Sequence, residues 1–175
     1  MATHADLDIW ILGDTVLTPF QRHSDCLLHV EAGKISEWMP ASERQRIDPE
    51  KLIHIPGAIV APGFIDMHVH GASGCDLMDG SAETVRTVSR TLTRFGTTSF
   101  VATTLSASDT ATEAAVRGLA ASIDAADGAT LLGIHLEGPY LNSLRRGTHD
   151  AAYLKQADIA AFRRLVSISQ NSIRF

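Results

Sequence analysis

From residue 61 onward, short apolar segments alternate with amphipathic ones, and this alternation restricts the fold more than any other feature of the chain. Phe64 to Val69, Thr98 to Thr103 and Leu131 to Glu137 read as strands. Between them lie Ser81 to Phe95 and Ser108 to Ile123, with Ala157 to Val166 after the third strand. Val85, Val88, Leu92 and Phe95 recur at helical spacing, and Gly96 stands where a C-terminal cap belongs. Ser108 or Asp109 caps the second helix. Ile159, Phe162 and Val166 form the apolar face expected of the third. Such alternation implies βαβ units and a parallel sheet, an α/β architecture.

The residues before Ala61-Pro62-Gly63 follow a different pattern. Asp8 to Leu17 is strand-like, and Cys26 to Val30 and Lys34 to Trp38 flank a hairpin turn at Glu31-Ala32-Gly33. Leu52 to Val60 is strand-like again, broken at Pro56-Gly57. Residues 1–60 therefore read as a small sheet or part of a sandwich. Residues 61–175 read as three β/α units, followed at Ile173-Arg174-Phe175 by the first residues of a fourth strand. A closed eight-stranded α/β barrel takes ~250 residues. The residues alone leave two readings, a small open sheet or the front part of such a barrel, and the second is the expectation on the resemblance given below.

Composition narrows the function classes. A net charge of −5 and a pI near 5.9 argue against a nucleic-acid or anionic-membrane surface. No apolar run approaches the ~20 residues of a membrane helix. Met1 to Asp6 has neither the basic segment nor the apolar run of a secretion signal. Cys26 and Cys75 are the only cysteines and make no disulfide framework, so a cytoplasmic location is expected.

Two segments carry candidate chemistry. In Asp66-Met67-His68-Val69-His70, strand alternation puts Asp66, His68 and His70 on one face. Two imidazoles so spaced can ligate a divalent ion; the competing reading is one core histidine and one surface histidine. Their place at the C-terminal end of a barrel-type strand, where barrel active sites are built, favours the first. Gly71 would let the chain turn close to the ion.

The second segment is Gly133 to Asp150, GIHLEGPYLNSLRRGTHD. Its strand ends on Glu137, and Gly138-Pro139 stops it, so no helix starts there to be capped. A carboxylate at the mouth of a buried strand is costly unless a positive group meets it. Glu137 is therefore either a solvated loop residue or a third ligand beside the imidazoles. Arg145, Arg146 and His149 are a solvated basic loop or contacts for a polar or anionic substrate. Cys75, Asp76 and Asp79 read as structural, and Thr97-Thr98 and Thr103-Thr104 as ordinary strand formers. Phosphate-binding glycine motifs are absent.

Pro62-Gly63-Phe64-Ile65-Asp66 running into His68-Val69-His70-Gly71 resembles the first barrel strand of the amidohydrolase superfamily. Thr97 to Thr104, His135-Leu136-Glu137-Gly138-Pro139-Tyr140 and Arg145-Arg146-Gly147-Thr148-His149 resemble, within it, the N-acetylglucosamine-6-phosphate deacetylase family. The resemblance covers essentially the whole chain. It implies a metal-dependent (β/α)8 barrel with a small β-sandwich built from both chain ends. It implies hydrolysis of N-acetylglucosamine 6-phosphate to glucosamine 6-phosphate and acetate by metal-activated water.

Residue by residue, the resemblance makes Glu137 a metal ligand, and His68 and His70 further ligands carried by some members. Thr148 and His149 fall on the substrate-contacting loop. The implied cofactor is a divalent ion, zinc first, with iron, cobalt or manganese as alternatives, one or two per site. The implied partners are an amino-sugar phosphate and further copies of the full-length chain. The family's acid/base aspartate and two later histidine ligands are expected beyond residue 175. The 175-residue chain alone is accordingly expected to be inactive and prone to aggregate. Another superfamily hydrolase acting on a cyclic amide or amine, or a non-catalytic remnant, are the alternative readings.

Overall fold

The computed structural model describes residues 7–175; Met1 to Asp6, read above for a secretion signal, lies outside the described residues. The chain divides into two compact units between Pro62 and Gly63. No helix is long and apolar enough to cross a membrane among the described residues.

The first unit is built around β1 (Asp8–Leu17). It pairs antiparallel with β2 (Arg22–Glu31), which pairs antiparallel with β3 (Lys34–Pro40). Ala32 and Gly33 link β2 to β3 with positive φ at both positions, 49° and 77°. That is the mirror-image turn whose twist matches the flanking strands. β4 (Leu52–His54) and β5 (Ile59–Val60) both run parallel to β1, giving one five-stranded sheet. Leu12, Val16, Leu27 and Leu28 are its buried hydrophobic residues.

In the second unit, β6 (Phe64–Val69), β9 (Thr97–Thr103) and β10 (Thr130–His135) form a parallel sheet in the order β10-β9-β6. A two-residue pair, β7 (Gly71–Ala72) with β8 (Cys75–Asp76), follows β6. The helices are α1 (Ala82–Thr93), α2 (Asp109–Ala121) and α3 (Ile159–Ile168). Side chains of Ser81, Ser108 and Asp158 cap them by accepting N–H groups of the first turn. Val85 and Val88 of α1 and Val116 and Leu119 of α2 pack with Phe100, Leu131 and Ile134 of the sheet in one core. After α3, Ile173 forms an isolated parallel bridge with Ile134 of β10.

Two expected helix faces differ. Phe95 lies beyond α1 and is 75% exposed. In α3, Ile159 and Phe162 are exposed, while Leu165 is the buried residue and Ile168 packs against the core. The apolar residues of α3 nearly encircle it, so two overlapping stripes satisfy the 3.6-residue period and spacing alone does not choose between them.

Candidate metal centre

The three candidate ligands, His68, His70 and Glu137, stand at or just past the C-terminal end of a parallel strand. His68 is in β6 and His70 directly follows it. Between Asp66 and Val69 the pairing with β9 slips, three steps on β6 matching two on β9. Such bulges re-aim side chains. Asp66 accordingly stays out of the cluster, its carboxylate accepting the backbone N–H of His68 at 3.0 Å. At Gly71 a Cβ would lie 2.0 Å from the Cys75 carbonyl oxygen, so only glycine permits the close turn after His70.

Glu137 lies two residues past β10. Its Oε2 is 3.3 Å from His68 Nε2 and 3.1 Å from His70 Nε2, and the two Nε2 atoms are 3.1 Å apart. His68, His70 and Glu137 form the one group of mutually close potential ligands among the described residues. A tetrahedral site with bonds of ~2.0–2.1 Å has edges of about 3.3 Å. The three spacings match that edge.

The tautomer of His70 supplies a second test of fit. Its Nδ1 lies 3.1 Å from the Thr103 carbonyl oxygen. A carbonyl only accepts, so Nδ1 carries the proton and the Nε2 lone pair faces the cluster. Outer partners of this kind orient metal-binding imidazoles. Thr103 is fully buried, and its hydroxyl also accepts the Val69 N–H at 3.1 Å. Sequence reasoning treated Thr103 as a plain strand former. Its position at the end of β9, beside the mouths of β6 and β10, is the signal that marks it.

The other candidates separate. His135 does not join the group: its Nδ1 faces the Thr103 hydroxyl at 3.3 Å, and its ring lies 5.1 Å from that of His68 and 4.7 Å from that of Phe175. Burial, then the neighbouring His68, pulls its pKa below the usual imidazole value. His149 is buried, with Nε2 3.5 Å from Glu137 Oε2, while Thr148 is exposed. Ser106, not singled out by sequence, contacts His149 Nδ1. The Arg146 guanidinium donates to the His149 carbonyl, a structural tie within the loop. Asp76 and Asp79 likewise act structurally, accepting Met78 N–H and the Thr84 hydroxyl.

Residues 59–169 match the model of the amidohydrolase family. The N-acetylglucosamine-6-phosphate deacetylase of Vibrio furnissii is 39% identical over 113 residues, 64% of this chain and 28% of that protein. The enzyme of the same name from Bacillus subtilis (strain 168) is 36% identical over 140 residues, 77% of this chain and 35% of that one. The crystal structure of N-acetyl-D-glucosamine-6-phosphate deacetylase from Mycobacterium smegmatis superimposes with a TM-score of 0.81 at 25% identity, covering 95% of this chain and 45% of that one. The chain thus spans less than half the length of these relatives.

Proposed function

Because this chain belongs to the amidohydrolase family, we propose that it supplies the metal-binding strand ends of an enzyme that removes the acetyl group from N-acetylglucosamine 6-phosphate. The observation carrying the metal reading is the convergence of His68 Nε2, His70 Nε2 and Glu137 Oε2, with the His70 lone pair set by the Thr103 carbonyl. The substrate reading is supported by two relatives, 39% and 36% identical, that are deacetylases of this sugar phosphate. Residues 1–60 then belong to a small β-sandwich. Residues 61–175 are the first three β/α units and the start of the fourth strand of a (β/α)8 barrel.

Two imidazoles and a carboxylate suit zinc first, and iron, cobalt or manganese with the same donors. Held by His68, His70 and Glu137, one or two such ions would polarise the amide carbonyl and lower the pKa of water toward ~7. The chain's residues perform the positioning. His70 is fixed by Thr103, and the β6 bulge between Asp66 and Val69 contains His68. Thr148 and His149 lie on the loop taken to contact the sugar. Amide hydrolysis also requires a general acid to protonate the departing amine. As ligands, His68, His70 and Glu137 are not available for that step. The acidic charge fits a small-molecule substrate rather than nucleic acid or an anionic membrane, and the full-length enzyme is proposed to be a cytoplasmic homo-oligomer.

The test is an assay of the whole protein for release of glucosamine 6-phosphate and acetate. Activity should disappear on chelation, return with zinc, and fall at least ~100-fold in Glu137→Ala. Hydrolysis of cyclic amides with none of the acetylated sugar phosphate would overturn the substrate reading.

A further inference from the structure

In the first unit, strands β1, β2 and β3 each contribute one side chain to a single hydrogen-bonded series. Asp8 Oδ1 lies 2.8 Å from His29 Nε2, and His29 Nδ1 lies 2.9 Å from the Ser36 hydroxyl oxygen. No linear motif marks the set, because its members come from three strands. Ser36 reaches the imidazole through an irregularity of β3. His29 opposes Glu37 while Val30 opposes Ile35, so Ser36 is the extra residue of a bulge. Bulges re-aim side chains and recur beside active sites.

The partners fix the direction of each hydrogen bond. The contacts with His29 and then Lys51 hold the Asp8 carboxyl below its ordinary pKa. An ionised carboxylate only accepts, so His29 donates from Nε2 and its Nδ1 presents a lone pair. The Ser36 hydroxyl donates to that lone pair; its other acceptor, the His29 carbonyl oxygen, is farther away at 3.5 Å. Lys51 pairs with the second Asp8 oxygen, and Trp10 stacks on the imidazole with centroids 4.5 Å apart and planes 11° from parallel. The base is thus held by its acid, by its hydroxyl and by an aromatic face. The His29 side chain is 17% exposed, whereas Ser36 is open to solvent.

We propose that Ser36 is an activated nucleophile that takes acyl groups from activated esters, with His29 as its general base and Asp8 as the residue positioning that base. A hydroxyl within reach of a base, and a base oriented by a third group, is the arrangement that makes a serine reactive. Ser36 Oγ bonds to the acyl carbon as its proton passes to His29 Nδ1. The bond to the aryloxide breaks, and the aryloxide oxygen takes the proton from His29. The product is an ester at Ser36 and a free phenol. The site stands apart from His68, His70 and Glu137 and needs neither a metal ion nor the deacetylase reading.

The test treats the whole protein with p-nitrophenyl acetate and follows acetylation of individual serines by peptide mass spectrometry. Ser42 and Ser143, also exposed, serve as internal standards. Ser36 should acetylate about 100-fold faster than either, the smaller end of what a positioned base contributes. That advantage should vanish in His29→Ala, return on adding free imidazole, fall in Asp8→Asn and recover in Asp8→Glu. Circular dichroism checks that each variant is folded. Acetylation of Ser36 no faster than of Ser42 and Ser143 in the unsubstituted protein would overturn the proposal, whatever the variants do. An undiminished rate at Ser36 in folded His29→Ala would overturn it as well.

Discussion

At the scale of single residues, the site is a short list of atoms whose partners fix their direction. The grouping of His68, His70 and Glu137 was legible in the sequence because candidate ligands are of a few residue types and these stand at strand ends. Thr103 and Ser106 were not, because their roles are a carbonyl, a hydroxyl and a backbone N–H presented to histidines about thirty to forty residues away. No local pattern encodes such a contact. Asp66 shows the converse: alternation placed it with His68 and His70, and the bulge in β6 separated them.

Gly138 is where this scale makes its sharpest demand. Its φ of 83° is strained for a residue with a Cβ, and that Cβ would strike Ser106. Gly138→Ala should destabilise the protein by about 1–3 kcal/mol from the backbone alone. Urea unfolding measures it, and a loss within ~0.5 kcal/mol would show that the loop relaxes freely.

The elements of secondary structure were read mainly from period and caps, and these two signals differ in what they fix. Ser81, Ser108 and Asp158 accept N–H groups at the helix starts, so the beginnings of α1, α2 and α3 are local properties of the chain. Which face of a helix turns inward is not local where the apolar residues run nearly round it, and α3 accordingly buries Leu165 rather than Ile159 and Phe162.

Elements are also joined by single buried groups. The fully buried Ser89 of α1 donates to the Ala129 carbonyl and accepts the Gly128 N–H, both at 2.8 Å, just before β10. Ser89→Ala leaves the buried Ala129 carbonyl and the part-buried Gly128 N–H without that partner. The expected loss is about 1–3 kcal/mol, read from thermal or urea unfolding. A change under ~0.5 kcal/mol would mean that the helix and the β10 loop are not coupled through this hydroxyl.

Over the whole molecule, the α/β class followed from the alternation of apolar segments, and the parallel order of β6, β9 and β10 agrees with it. The likeness to the Mycobacterium smegmatis structure is of the same kind, an α/β fold shared over 95% of this chain. The first unit was less legible. Its hairpin was visible at Ala32-Gly33, where the turn demands special backbone angles. The parallel return of β4 and β5 to β1 was not, since their pairing spans about forty residues and leaves no local mark.

The proposed metal centre joins these scales, because its three candidate donors come from the ends of two strands that do not touch each other in the sheet, β6 and β10. A bound ion would tie the two across β9. The most direct test is calorimetric titration of the chelator-stripped protein with zinc, beside Glu137→Ala and His70→Ala. The account predicts saturable binding to the wild type and a loss in each variant beyond the ~10–100-fold typical of outer partners. Equal zinc affinity in all three proteins would contradict it.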